Sequence, residues 1–93
     1  ICVVLAANGY PDSYERNKLI ENIKKAEKIQ GIEIFHAGTK KISNKIFSEG
    51  GRVLSITSKA KSLTIARKKA YNALKIIDWK DGFFREDIGI KNY

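Results

Sequence analysis

Two glycines and an arginine, Gly50-Gly51-Arg52, lead into the run Val53-Leu54-Ser55-Ile56-Thr57. Glycine lets a backbone turn sharply and come close to a ligand, and the planar arginine fork matches a phosphate or carboxylate. This spacing offers an oxyanion site delivered to the end of a strand; a plain turn or bulge is the structural alternative. A second polar group lies upstream. His36, Gly38 and Thr39, within Phe35-His36-Ala37-Gly38-Thr39, present an imidazole, a backbone amide and a hydroxyl at the end of a strand. Their bland reading is a histidine hydrogen-bonded inside the fold and an ordinary strand terminus. Covalent catalysis has no support, because Ser55, Ser58 and Ser62 have only His36 as a partner base and nothing places them together. One histidine and one cysteine make no zinc constellation of the usual kind, so no catalytic and no metal residue is assigned.

These groups need elements to hold them. Residues 2–7 read as a buried central strand, with Cys2 as a small core hydrophobe. The turn formers of 8–13 follow, where Tyr10-Pro11 would order a surface loop through its fixed φ and aromatic cover. Leu19, Ile20, Ile23 and Ala26 recur at helical spacing, predicting a short amphipathic helix over roughly 18–28. Residues 32–37 alternate as a strand packed on both faces, and 41–47 read as a hairpin. The strand at about 52–58 is expected to put Arg52, Leu54 and Ile56 on one face and Val53, Ser55 and Thr57 on the other. Ser62 suits the N-cap of the longest helix, whose stripe is Leu63, Ala66, Ala70, Ala73, Leu74 and Ile77. Trp79, Phe83 and Phe84 are expected in the core. Asp81, Glu86 and Asp87 beside Arg85 form a salt-bridged surface or an interface with another domain. The order of elements predicts an α+β domain, a small antiparallel sheet with helices packed on one side.

Ninety-three residues make one modest core, too little for a complete multi-substrate enzyme. An apolar start and the lack of any methionine read as a segment of a longer polypeptide. The opening apolar run is far short of the ~20 residues of a membrane span, and the lone cysteine suits a reducing, cytoplasmic compartment. A net charge of +8 raises nucleic acid as a partner, yet fourteen of the eighteen basic residues are scattered lysines rather than the arginine forks that read phosphate and bases. Neither a nucleic acid nor a membrane is the expected partner. A basic RNA-binding module stays as the rival reading.

Taken in order, Gly9-Tyr10-Pro11, Phe35-His36-Ala37-Gly38-Thr39, Gly50-Gly51-Arg52-Val53-Leu54 and Arg85-Glu86-Asp87-Ile88-Gly89 resemble the C-terminal domain of the phosphoribosylamine–glycine ligases, also called glycinamide ribonucleotide synthetases. The likeness covers nearly the whole chain, 1–93. It implies membership of the ATP-grasp ligases of purine biosynthesis, in which ATP activates the carboxylate of glycine and the amine of 5-phosphoribosylamine attacks it. It further implies that ATP and Mg2+ bind outside this segment and that the rest of the same polypeptide is its partner. Carried across, Arg52 becomes the phosphate or carboxylate clamp, Gly50 and Gly51 shape its turn, and His36, Gly38 and Thr39 line the same cleft. The segment alone is then expected to be catalytically silent. The C-terminal domain of another ATP-grasp ligase would share this logic with a different acceptor.

Overall fold

Burial along residues 2–7 alternates before it becomes continuous, as in a strand covered on one face and buried at its end. The structure, a computed structural model, describes residues 1–90; residues 91–93, the end of the expected domain, lie outside the described residues. Seven strands, β1 (Cys2–Ala7), β2 (Leu19–Ile20), β3 (Ile32–His36), β4 (Thr39–Ile42), β5 (Lys45–Ser48), β6 (Arg52–Ser58) and β7 (Gly82–Phe83), combine among the described residues with two helices, α1 (Ile23–Glu27) and α2 (Leu63–Ile77). They form a four-stranded sheet of order β3-β6-β1-β7 and a three-stranded sheet of order β2-β5-β4. Every pairing is antiparallel.

Both helices pack on the same side of the larger sheet and against each other. The core between them is Val3, Leu5, Ile32, Ile34, Leu54 and Ile56 from the strands, Ile23 and Ala26 from α1, and Ala70, Ala73, Leu74 and Ile77 from α2. The small alanines bring the α2 backbone close to the sheet, as its stripe predicts. Leu63, at the head of that stripe, stays exposed. The Ser62 hydroxyl accepts a hydrogen bond from the Ile65 N–H at 3.2 Å, so α2 begins on the expected cap. The hairpin is also as expected: Ser43 and Asn44 both take positive φ between β4 and β5, the backbone that a tight two-residue turn requires.

Four expectations need correction. Helix α1 starts only at Ile23, because Asn22 sits in the left-handed region, φ 66°, which helical backbone cannot pass through. Leu19 and Ile20 are extended instead and pair with Phe47 and Ile46. Cys2 is exposed, not in the core, and β3 buries one face rather than two, since Glu33 and Phe35 face solvent. Both follow from helices covering one side of the sheet only. Trp79 is buried and Phe84 partly so, but Phe83, on the edge strand β7, is exposed.

Candidate functional site

The geometry around Arg52 turns on one extra residue in β6. From Cys2 to Leu5 the partners on β6 run evenly from Thr57 to Leu54, but Ala6 then pairs with Arg52, leaving Val53 as a bulge. A one-residue bulge reverses which face every residue beyond it presents. Arg52 therefore joins Val4 and Ser55 on the helix-free face, not Leu54 and Ile56 as strict alternation predicts. Val53 is fully buried, and its carbonyl accepts from the Ala37 and Gly38 N–H groups at 3.0 and 3.2 Å. The bulge thus ties the turn after β3 to the start of β6.

An open cavity of about 410 Å³ lies at this end of the sheet, lined by Val4, Tyr10, Ala37, Gly38, Gly50, Gly51, Arg52 and Ser55. Its floor is backbone in close contact. The Gly38 carbonyl accepts from the N–H groups of Glu49 and Gly50 at 2.7 and 3.0 Å. A Cβ on Gly38 would stand 2.5 Å from the Arg52 carbonyl and 2.8 Å from the Gly50 backbone, and one on Gly51 would collide with the Tyr10 ring. The glycines are required by packing of the protein on itself, with Tyr10 occupying the space that Gly51 leaves. Tyr10 follows Gly9 and is joined to Pro11 by a cis peptide bond; its ring lies 6.2 Å from that of Tyr14, between centroids.

Arg52 is exposed above this floor, and among the described residues no hydrogen bond or ion pair engages its guanidinium. The other arginines are occupied. Arg16 lies over the Tyr14 ring at 5.6 Å, and Arg67 donates to the Ile88 carbonyl at 3.1 Å and to the Glu86 carbonyl while stacking on Tyr71 at 4.6 Å. Arg85 grips Asp87 with both arms of its fork, at 3.0 and 2.7 Å. That pair holds the Asp87 carboxyl below the ordinary aspartate value, chiefly through the hydrogen bonds, and raises the Arg85 guanidinium for the same reason. A free fork over a backbone floor can take an oxyanion; an engaged one cannot without losing its partner.

The structure brings together Gly38, Gly50, Gly51 and Arg52. It does not bring His36 and Thr39 into the cavity lining, contrary to expectation. His36 pairs with Leu54 in register and so shares the helix side of the sheet, where its exposed ring makes a 2.8 Å hydrogen bond to the Thr39 hydroxyl. The two residues brace the turn that carries Gly38. Sequence reasoning missed Val4 and Ser55 as lining residues; the alternation Cys2, Val4 opposite Thr57, Ser55 was the available signal. Among the described residues no group of three His, Cys, Asp or Glu side chains gathers as a metal ion would need, and no helix is long and apolar enough to cross a membrane.

Fold and cleft together define a small α+β domain with helices on one sheet face and a glycine-crowded cleft at the end of the other. Residues 1–91 match the family described as phosphoribosylglycinamide synthetase, C domain, and the chain belongs to that family. Among its relatives are the chloroplastic phosphoribosylamine–glycine ligase of Arabidopsis thaliana, 49% identical over 94% of this chain and 17% of that protein, and the phosphoribosylamine–glycine ligase of Brucella melitensis, 46% identical over 96% and 21%. A crystal structure of phosphoribosylamine–glycine ligase from Thermotoga maritima superposes with a TM-score of 0.72 at 33% identity, covering 90% of this chain and 20% of that one. The chain spans about a fifth of the length of the curated relatives it matches.

Proposed function

We propose that this chain is the C-terminal domain of an ATP-dependent ligase joining glycine to 5-phosphoribosylamine, and that its cleft forms part of the wall holding the phosphate-bearing substrate. The observation that carries this reading is the family match over residues 1–91, with an unengaged Arg52 at the cleft. ATP and Mg2+, held by the rest of the polypeptide, supply activation of the glycine carboxylate. The residues of this chain bind and position. Arg52 offers a bidentate fork to the phosphate, the Gly38, Gly50 and Gly51 backbone fixes where that fork starts, and the Tyr10 ring seals one side against water. His36 and Thr39 act on the ligand only through the turn they brace. A cytoplasmic setting belongs to the proposal; the Arabidopsis relative's name gives that protein a chloroplastic one.

The test is ADP release by the complete polypeptide containing this segment, with and without glycine and with phosphoribosylamine generated in place. Release that requires both substrates is the expected result. Release that ignores glycine would reduce the likeness to a shared fold and bring other acceptors forward.

A further inference from the structure

Between α2 and the segment after β7 lies a cavity of about 450 Å³, on the helix side of the sheet and apart from the Arg52 cleft. Arg67, Tyr71, Leu74, Lys75 and Asp78 line it at helical spacing, as one flank of α2 and its cap. Leu5 and Leu74, 2% and 3% exposed, make an apolar floor that reaches the core. Tyr71, Trp79 and Phe84 supply aromatic walls, the rings of Tyr71 and Phe84 tilted by 50° with centroids 5.8 Å apart. A cavity of this volume, walled by aromatic groups with a few polar ones among them, suits a small organic molecule.

Two observations bear on the kind of molecule. Trp79 is 9% exposed, and its indole Nε1–H, closed to solvent, meets no acceptor among the described residues. Gly82 holds the opposite edge of that indole, since a Cβ there would stand 2.3 and 2.4 Å from Cε3 and Cζ3. The ring is thus fixed with its donor unspent, which buried polar groups rarely are. The second observation is charge. Arg67 and Lys75 in the lining are offset by Asp78 and Glu86, in a chain whose net charge is +8. Arg67 is already bonded to two carbonyls, so an anion entering here would meet two carboxylates with only Lys75 to attract it. A neutral ligand meets no such penalty.

We propose that this cavity binds an uncharged heteroaromatic ring of the nucleobase type, packed against Tyr71 and Phe84, with a ring nitrogen or carbonyl accepting from the Trp79 Nε1–H. Aromatic walls favour a flat π-system in offset or edge-to-face contact. Asp78, Glu86 and Asn72 can accept from the N–H groups that such a ring carries. Because Nε1 is closed off, the incoming acceptor displaces side chains of the lining, and Lys75 and Asn72, both exposed and without hydrogen bonds from their side chains among the described residues, are free to move. The site goes beyond the ligase reading and does not depend on it, since no residue lines both this cavity and the Arg52 cleft.

The probe is adenine, titrated calorimetrically into the full-length polypeptide with Mg2+ and a saturating non-hydrolysable ATP analogue, so that the nucleotide site proposed for the rest of the polypeptide is filled. Binding with a Kd of ~1 mM or tighter is expected. Trp79→Phe, which keeps an aromatic ring and removes the N–H, is expected to weaken it at least ~5-fold. Asn72→Trp, which adds bulk at an exposed position of the lining, is expected to abolish it. Indole, a flat ring of similar size with no acceptor, is expected to bind at least ~5-fold more weakly than adenine, and inorganic phosphate is expected not to compete. No adenine binding, or binding that Asn72→Trp or a folded Trp79→Phe leaves unchanged, would overturn the proposal. Indole binding as tightly as adenine would overturn it by reducing the cavity to an apolar groove, and competition by phosphate would do so by assigning it to an anion. Should Trp79→Phe not fold, Asn72→Trp and the indole comparison still decide. The ligase reading fails separately: glycine-independent ADP release with adenine bound leaves this site standing, and substrate-dependent release without adenine binding leaves only the ligase.

Discussion

Arg52 and Arg67 are both long cations on regular elements, yet one is spare and the other is consumed. Arg67 binds two backbone carbonyls of the segment after Phe84 and stacks on Tyr71, whose hydroxyl in turn donates to the Arg85 carbonyl and accepts from the Ile88 N–H at 3.3 Å. This end of the molecule uses arginine to fasten chain to helix. At the other, glycines and a bulge raise an arginine that the fold leaves without a partner. The motif Arg85-Glu86-Asp87-Ile88-Gly89 and the motif Gly50-Gly51-Arg52 therefore serve different ends, the first structural and the second open to a ligand. An arginine in a family motif acquires its role from what already occupies its donors.

That contrast can be broken by mutation. In the complete enzyme, Arg52→Ala should cost about 2–4 kcal/mol of phosphoribosylamine affinity with the melting temperature almost unchanged, read as a rise in KM. Arg67→Ala should do the opposite, destabilising by about 1–3 kcal/mol in denaturant titration while the folded enzyme keeps its KM. Gly51→Ala should destabilise by about 1–3 kcal/mol because its methyl group collides with the Tyr10 ring, and adding Tyr10→Ala should recover part of the loss. Additive losses in that double mutant would show that the ring and the glycine are not the coupled pair described here.

The smallest expected effect lies at the exposed Arg85–Asp87 pair. Its folded carboxyl titrates below the ordinary aspartate value, so the pair stabilises at neutral pH and that contribution is lost as pH falls through the folded value. Melts of wild type and Asp87→Asn should differ slightly at about pH 7 and converge only as pH falls below the ordinary aspartate range. A difference that grew toward acid would contradict the sign.

Much of this was legible in the residues, and the failures share one cause. The Ser62 cap, the alanine stripe and the hairpin are local patterns, and they folded as read. Arg52 was placed on the wrong face because a bulge is set by pairing with β1, which no period within β6 reveals. Leu19 and Ile20 had helical spacing with Ile23, but a left-handed Asn22 and pairing with β5 decided otherwise. Cys2 and Phe35 looked buried because an apolar strand says nothing about which of its faces neighbouring elements cover. At the cleft, the glycines and Arg52 were visible as a motif. Tyr10 against Gly51 needed the fold, since that contact joins residues 41 positions apart.

The most direct test of the Arg52 assignment is calorimetric binding of glycinamide ribonucleotide, which would be the phosphate-bearing product of the proposed ligase reaction, to the full-length protein and its Arg52→Ala variant. The expected result is a Kd weakened by ~30-fold or more, about 2 kcal/mol, in a variant that melts with wild type. An unchanged Kd would remove Arg52 from the substrate site and leave the cleft as packing alone.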